Sequence, residues 1–86
     1  MSVNSETAVV LPAHLHARPA GQVVQAAARF QADVEIEYAG KVANARGVLA
    51  VMALGATAGT TVTLRATGPD AAEALDAVVA VLSAAQ

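Results

Sequence analysis

Between residues 33 and 38 the chain reads Asp33-Val34-Glu35-Ile36-Glu37-Tyr38, a strict alternation with Val34, Ile36 and Tyr38 on one face of a strand and three carboxylates on the other. Such a strand needs a core on one side and water on the other. The sheet that contains it is therefore antiparallel and open on one face. Thr61-Val62-Thr63-Leu64-Arg65-Ala66-Thr67 repeats the pattern, with Val62, Leu64 and Ala66 inward, and Gly68-Pro69 ends it. These two segments exclude an all-helical bundle and call for helices to cover the inward face.

Two stretches have the helical period. From His16 to Phe30, Ala20, Val23, Val24, Ala27 and Phe30 form one face, while Gln22, Gln25 and Arg29 take the other. Pro19 is tolerated in the first turn, where its missing N–H would have had no intrahelical partner, and so it sets the helix start near His16. In the last stretch Ala71, Ala74, Leu75, Val78, Val79 and Leu82 form an apolar stripe, and Asp70 followed by Glu73 predicts a capping pair at its entrance.

The remaining segments are shorter. Thr7-Ala8-Val9-Val10-Leu11, closed by Pro12, is a first strand leading into a loop that carries His14 and His16. Ala39-Gly40-Lys41 supplies a turn, and Val42-Ala43-Asn44 returns antiparallel to the alternating strand. Arg46 to Leu54, bounded by Gly47 and Gly55, is a short helix, with strand as the alternative. The predicted order is β-α-β-β-α-β-α, an α+β class with a four-stranded antiparallel sheet covered on one face by three helices.

Length and composition limit the function. A chain of 86 residues supports one modest core, residues 1–86 forming a single domain, so any chemistry is simple or shared with a partner. Without cysteine it has no disulfide, thiol nucleophile or thiolate metal site, which fits a reducing cytoplasm. No Lys or Arg precedes Arg18, and the longest apolar run, Val48 to Leu54, is far too short to span a membrane; a soluble, unexported chain is expected. The net charge is −2 and the five basic residues Arg18, Arg29, Lys41, Arg46 and Arg65 are scattered, which argues against nucleic-acid binding. Partners are expected among proteins or small anions.

Chemistry concentrates in Leu15-His16-Ala17-Arg18-Pro19-Ala20. A neutral imidazole is a competent nucleophile near pH 7, and a phosphoryl group carried on it is a dianion that needs stabilising. At a helix entrance the N–H groups of Ala17 and Arg18 and the Arg18 guanidinium can supply that stabilisation; Pro19 has no N–H. The competing reading makes His16 a helix N-cap and Arg18 a solvated side chain. His14 and His16 alone make an incomplete metal site, so no metal is expected and His14 is assigned to the surface. Glu35 and Glu37, on the solvent face of a strand, are not a catalytic pair, and neither a phosphate-cradling glycine loop with lysine nor a Ser-His-Asp arrangement is present.

The same six residues closely resemble the phosphorylation motif of the HPr family, the histidine-containing phosphocarriers of the bacterial phosphoenolpyruvate sugar phosphotransferase system. Gly40-Lys41, Asn44-Ala45-Arg46, Val51-Met52-Ala53-Leu54-Gly55 and Ala66-Thr67-Gly68-Pro69-Asp70 resemble further family segments in the same order. The resemblance implies an open-faced β-sandwich in which His16 accepts a phosphoryl group on Nδ1 from phospho-enzyme I and passes it to a histidine of an enzyme IIA. It implies that Arg18 assists transfer, that no cofactor is bound, that the protein is compatible with a monomer, and that Val48, Leu49 and Met52 dock both partners; the other reading of those three is ordinary core. A near alternative is a carrier of a nitrogen-related regulatory branch, whose carrier shares the histidine motif; a more distant one is a non-catalytic interaction domain whose helix patch binds other proteins and whose His16 is structural. Two departures stand out. His14 occupies a position where many members have glycine, and Gly47 occupies the position of the serine that a regulatory kinase phosphorylates in many Gram-positive members, so that control is expected to be missing. Arg46 beside it is free to meet an anionic partner or is simply solvated.

Overall fold

The computed structural model describes residues 3–86 and runs β1 (Val3–Val10), α1 (Ala17–Ala27), β2 (Asp33–Tyr38), β3 (Lys41–Asn44), α2 (Val48–Ala53), β4 (Thr61–Gly68) and α3 (Ala71–Ser83). The strands form one antiparallel sheet in the order β1-β4-β2-β3. The register follows from the alternation. Ile36 lies opposite Leu64 on β4 and Ala43 on β3, Val34 opposite Ala66, and Val9 opposite Val62, and all of these side chains are buried. A slip of one residue would turn that whole set to water.

Helices cover the inward face. α3 crosses β1, β4 and β2, α2 lies over β3, and α1 packs between α2 and α3. Val23, Val51, Val78 and Leu82 reach the sheet core from the three helices, joined by buried alanines. Small side chains let the layers approach closely, which suits a core with so few aromatic residues.

The open face carries charge. Arg65, in the middle strand β4, places Nε 2.8 Å from Glu6 Oε1 on β1 and Nη1 2.7 Å from Glu37 Oε1 on β2. The hydrogen bond to Glu37, followed by that to Glu6, raises the Arg65 pKa further above its ordinary value. Glu37 is thus a cross-strand ligand of Arg65 rather than a freely solvated carboxylate, as cross-strand neighbours allow.

Three local expectations are corrected and one is decided. β1 begins at Val3 rather than Thr7, because residues of weak strand propensity such as Asn4 and Ser5 pair with Thr67 and Ala66. α1 ends at Ala27, and Phe30 belongs to the turn that follows. Residues 48–53 are helical, which settles the choice between helix and strand. Asp70 precedes α3 but makes no side-chain capping bond.

The Asp70 carboxylate instead accepts hydrogen bonds from the N–H groups of Gln31, at 3.0 Å, and Ala32, at 2.7 Å. The bond from Gln31 leads the causes that hold its pKa below the ordinary carboxylate range, with Ala32 and the nearby Arg46 charge acting in the same direction. On the other flank of the same turn Arg46 donates to the carbonyls of Phe30 and Ala32. Arg46 is therefore neither simply solvated nor free for a partner. Gly68, at φ +145°, closes the clamp: a Cβ there would stand 2.7 Å from Ala32 Cα.

Candidate functional site

The loop between β1 and α1 is laid against the turn that precedes β4. Leu11 donates to Thr60 O at 2.9 Å and accepts from Gly59 N–H at 2.8 Å, and Leu15 donates to Ala56 O at 3.0 Å. Leu15 is buried while its neighbours His14 and His16 are exposed. One apolar anchor thus holds the loop down and leaves two imidazoles at the surface.

His16 occupies the N-cap of α1, with extended backbone at φ −82° and ψ −171°. Its carbonyl accepts the first helical bond, from Ala20 N–H at 3.1 Å, but its imidazole caps nothing. The plain capping reading is correct for the backbone and incorrect for the side chain. The N–H groups of Ala17 and Arg18 have no intrahelical acceptor in this first turn, and no acidic residue stands there to neutralise the positive end of the helix. Ala17 and Arg18 are exposed, whereas Pro19 and Ala20, which follow them, are buried.

Arg18 lines a surface hollow of about 200 Å³ with Pro19, Gln22, Ala84 and Gln86, between the start of α1 and the end of α3. Among the described residues the ion pairs are those of Arg65, so no carboxylate neutralises Arg18. Imidazole, guanidinium and first-turn N–H groups thus share one exposed helix end. This arrangement offers an anion electrostatic stabilisation with little desolvation.

α2 packs against α1 and β3, and its residues differ in exposure. Leu49 is 77% exposed, Val48 38% and Met52 37%, whereas Val51 and Leu54 are buried. Exposure decides the open question: these three are surface, not core. The C-terminal end of α2 leads into the site through backbone bonds, Gly55 N–H to Met52 O at 3.2 Å and then Leu15 N–H to Ala56 O. Gly47 caps α2 at φ −108°. A Cβ there would meet Ala50 Cβ at 3.4 Å and Asn44 O at 3.6 Å, so a side chain fits and glycine is not sterically required.

His14 has a role that sequence reasoning missed. Its Nδ1 accepts a hydrogen bond from Ala58 N–H at 3.0 Å across 44 residues of sequence. No local spacing signals that contact. Among the described residues no three His, Asp or Glu side chains cluster as metal ligands, and no helix is long and apolar enough to cross a membrane.

The open-faced sandwich thus carries an exposed imidazole and an exposed guanidinium at one helix end. The family model described as the phosphorylation site of the PTS HPr component matches residues 3–84. The fold superposes on the phosphocarrier protein HPr of Bacillus anthracis with a TM-score of 0.81 at 41% identity, covering 94% of this chain and 96% of that one. HPr-C-His from Thermoanaerobacter tengcongensis gives 0.85 at 35% identity, with 91% and 90% covered. Crh, the catabolite repression HPr of Bacillus subtilis, gives 0.77 at 40% identity, with 98% and 100% covered. The chain belongs to the HPr family of phosphocarrier proteins of the phosphotransferase system.

Proposed function

We propose that the protein is a cytoplasmic phosphoryl carrier of the sugar phosphotransferase system, working as a monomer between two larger partners. His16 Nδ1 attacks the phosphoryl group of phospho-enzyme I; the P–N bond to His16 forms as the bond to the donor breaks, and the donor keeps the electron pair. The reverse sequence on an enzyme IIA histidine returns His16 to its free form. The Ala17 and Arg18 N–H groups and the Arg18 guanidinium hold the phosphoryl oxygens, while Val48, Leu49 and Met52 dock the partner surfaces in turn. No cofactor enters this cycle.

The observation that carries this reading is an exposed imidazole, not engaged in capping, at the start of a helix in a chain of this family. Likeness to a catabolite-repression relative favours a second reading, an interaction domain in which the α2 surface acts and His16 does not. Intact-protein mass spectrometry after incubation with phosphoenolpyruvate and enzyme I separates the two. One acid-labile phosphoryl group, present on wild type and His14→Ala and lost in His16→Ala, supports the carrier. An unmodified wild type beside an enzyme I that loads another carrier overturns it. Enzyme IIA domains of the sugar and nitrogen-related branches, offered to the loaded protein, then decide which branch it serves, and size-exclusion chromatography checks the monomer. Gly47 leaves an ATP-dependent serine kinase no hydroxyl at that position, so phosphorylation on Ser or Thr by such a kinase would contradict the expected loss of control.

A further inference from the structure

The backbone bonds that hold the reactive loop stop at Leu11 and resume at Leu15. Between them, among the described residues, the hydrogen bond that ties residues 12–14 to the facing turn is that of the His14 imidazole, whose Nδ1 accepts from Ala58 N–H. The turn it grips is internally braced, since Thr57 O accepts from both Thr60 N–H, at 3.1 Å, and Thr60 Oγ1, at 2.6 Å. On the other side of His14 its own carbonyl accepts the His16 N–H at 2.9 Å. A continuous path therefore runs from a rigid turn, through the side chain and carbonyl of His14, to the backbone that aims the His16 ring.

We propose that His14 is a positioning residue for phosphoryl transfer: by latching the loop to Ala58 it restricts the orientation of the His16 imidazole. The proposal rests on the carrier reading of His16. To accept at Nδ1 the neutral ring carries its proton on Nε2, so His14 acts through a hydrogen bond and not as a second acceptor of the phosphoryl group. Its action is on geometry. Transfer between proteins requires the nucleophile to be aligned at encounter, and looseness in the loop lowers the fraction of productive encounters.

The test compares wild type, His14→Ala and His14→Asn in rate of loading by enzyme I and phosphoenolpyruvate, with amide exchange at Ala58 followed by NMR. Asparagine carries its Oδ1 as many bonds from Cα as Nδ1 stands in histidine, so it can accept the same N–H. His14→Ala is expected to lower kcat/KM about three- to tenfold, the scale of one exposed hydrogen bond, with faster exchange at Ala58. His14→Asn is expected to protect Ala58 and to load within about twofold of wild type, a rescue that follows from restoring a single acceptor. Loading of His14→Ala at the wild-type rate, despite rapid exchange at Ala58, overturns the positioning role. So does a His14→Asn protein that protects Ala58 yet loads as slowly as His14→Ala. Failure of the wild type itself to load from an active enzyme I overturns the carrier reading and this proposal together, and that outcome is distinct from the other two.

Discussion

The turn after α1 and the loop before it are held by opposite means. Around residues 30–32 the chain is clamped by charged side chains, the Asp70 carboxylate on two N–H groups and the Arg46 guanidinium on two carbonyls, with the Gly68 backbone pressed against Ala32. Around residues 11–16 the chain is held by backbone bonds, two buried leucines and one imidazole acceptor, while Arg18 and the first-turn N–H groups are left without partners among the described residues. Charge committed to structure cannot stabilise a visiting anion. The two ends of α1 therefore differ: at one the polar groups are satisfied within the fold, and at the other Arg18 and the first-turn N–H groups have no partner among the described residues.

The strongest way to break this contrast is Gly68→Ala. The new Cβ meets backbone, which cannot swing aside, and the positive φ disfavours any side chain, so a loss of roughly 2–4 kcal/mol is expected. For a domain of this size that lowers Tm by about 10–20 °C, readable by circular dichroism. At a temperature where the variant remains folded, loading of His16 should be unchanged, because the damage lies at the other end of α1. Arg18→Ala reverses the pattern: Tm within about 2 °C of wild type, as for an exposed side chain without a partner, and phosphoryl transfer about tenfold slower, the cost of one charge-assisted contact to the phosphoryl group. Normal transfer by Arg18→Ala would remove that residue from the mechanism.

Asp70→Asn probes the clamp through pH. A carboxylate whose folded pKa lies below its unfolded value contributes stability above the unfolded pKa, about 3.9 for aspartate, and loses it as pH falls through the folded pKa. Wild type should therefore destabilise steeply below about pH 4, and Asp70→Asn should be less stable at pH 7 with a shallower acid slope. Acid titrations of the two proteins with identical slopes would show that the clamp is not charge-dependent. The smallest effect belongs to the β2–β3 hairpin, where Ala39 at φ +52° precedes Gly40 at φ +81° in a two-residue turn. Both central positions require positive φ, which alanine adopts at a cost and asparagine tolerates, so Ala39→Asn should raise stability by about 0.5 kcal/mol with no effect on loading.

Much of the architecture was legible because it depends on periodicity. The alternation at residues 33–38 and 61–67 and the helical stripes at residues 16–30 and 71–82 each declare a buried face, and burial of that face accounts for the sheet and the helix layer. The position of His16 was legible as well, since Pro19 and the residues around it mark a helix start within a few positions. Less visible was the beginning of β1, where pairing with β4 overrides the weak strand preference of Asn4 and Ser5. The capping pair at Asp70 and Glu73 misled for a related reason: a carboxylate before a helix has two sets of N–H donors within reach, and the preferred set lay 38 residues away.

By itself, the sequence determined which faces are apolar, where the chain must turn, and that one histidine begins a helix beside an arginine, because these follow from local spacing and backbone stereochemistry. Only the tertiary structure decided which polar groups are engaged. Asp70 with Ala32, Arg46 with Phe30, Arg65 with Glu37 and His14 with Ala58 are contacts between segments distant in sequence. A hydrogen bond depends on distance and direction in space, and those are set when the helices close on the sheet.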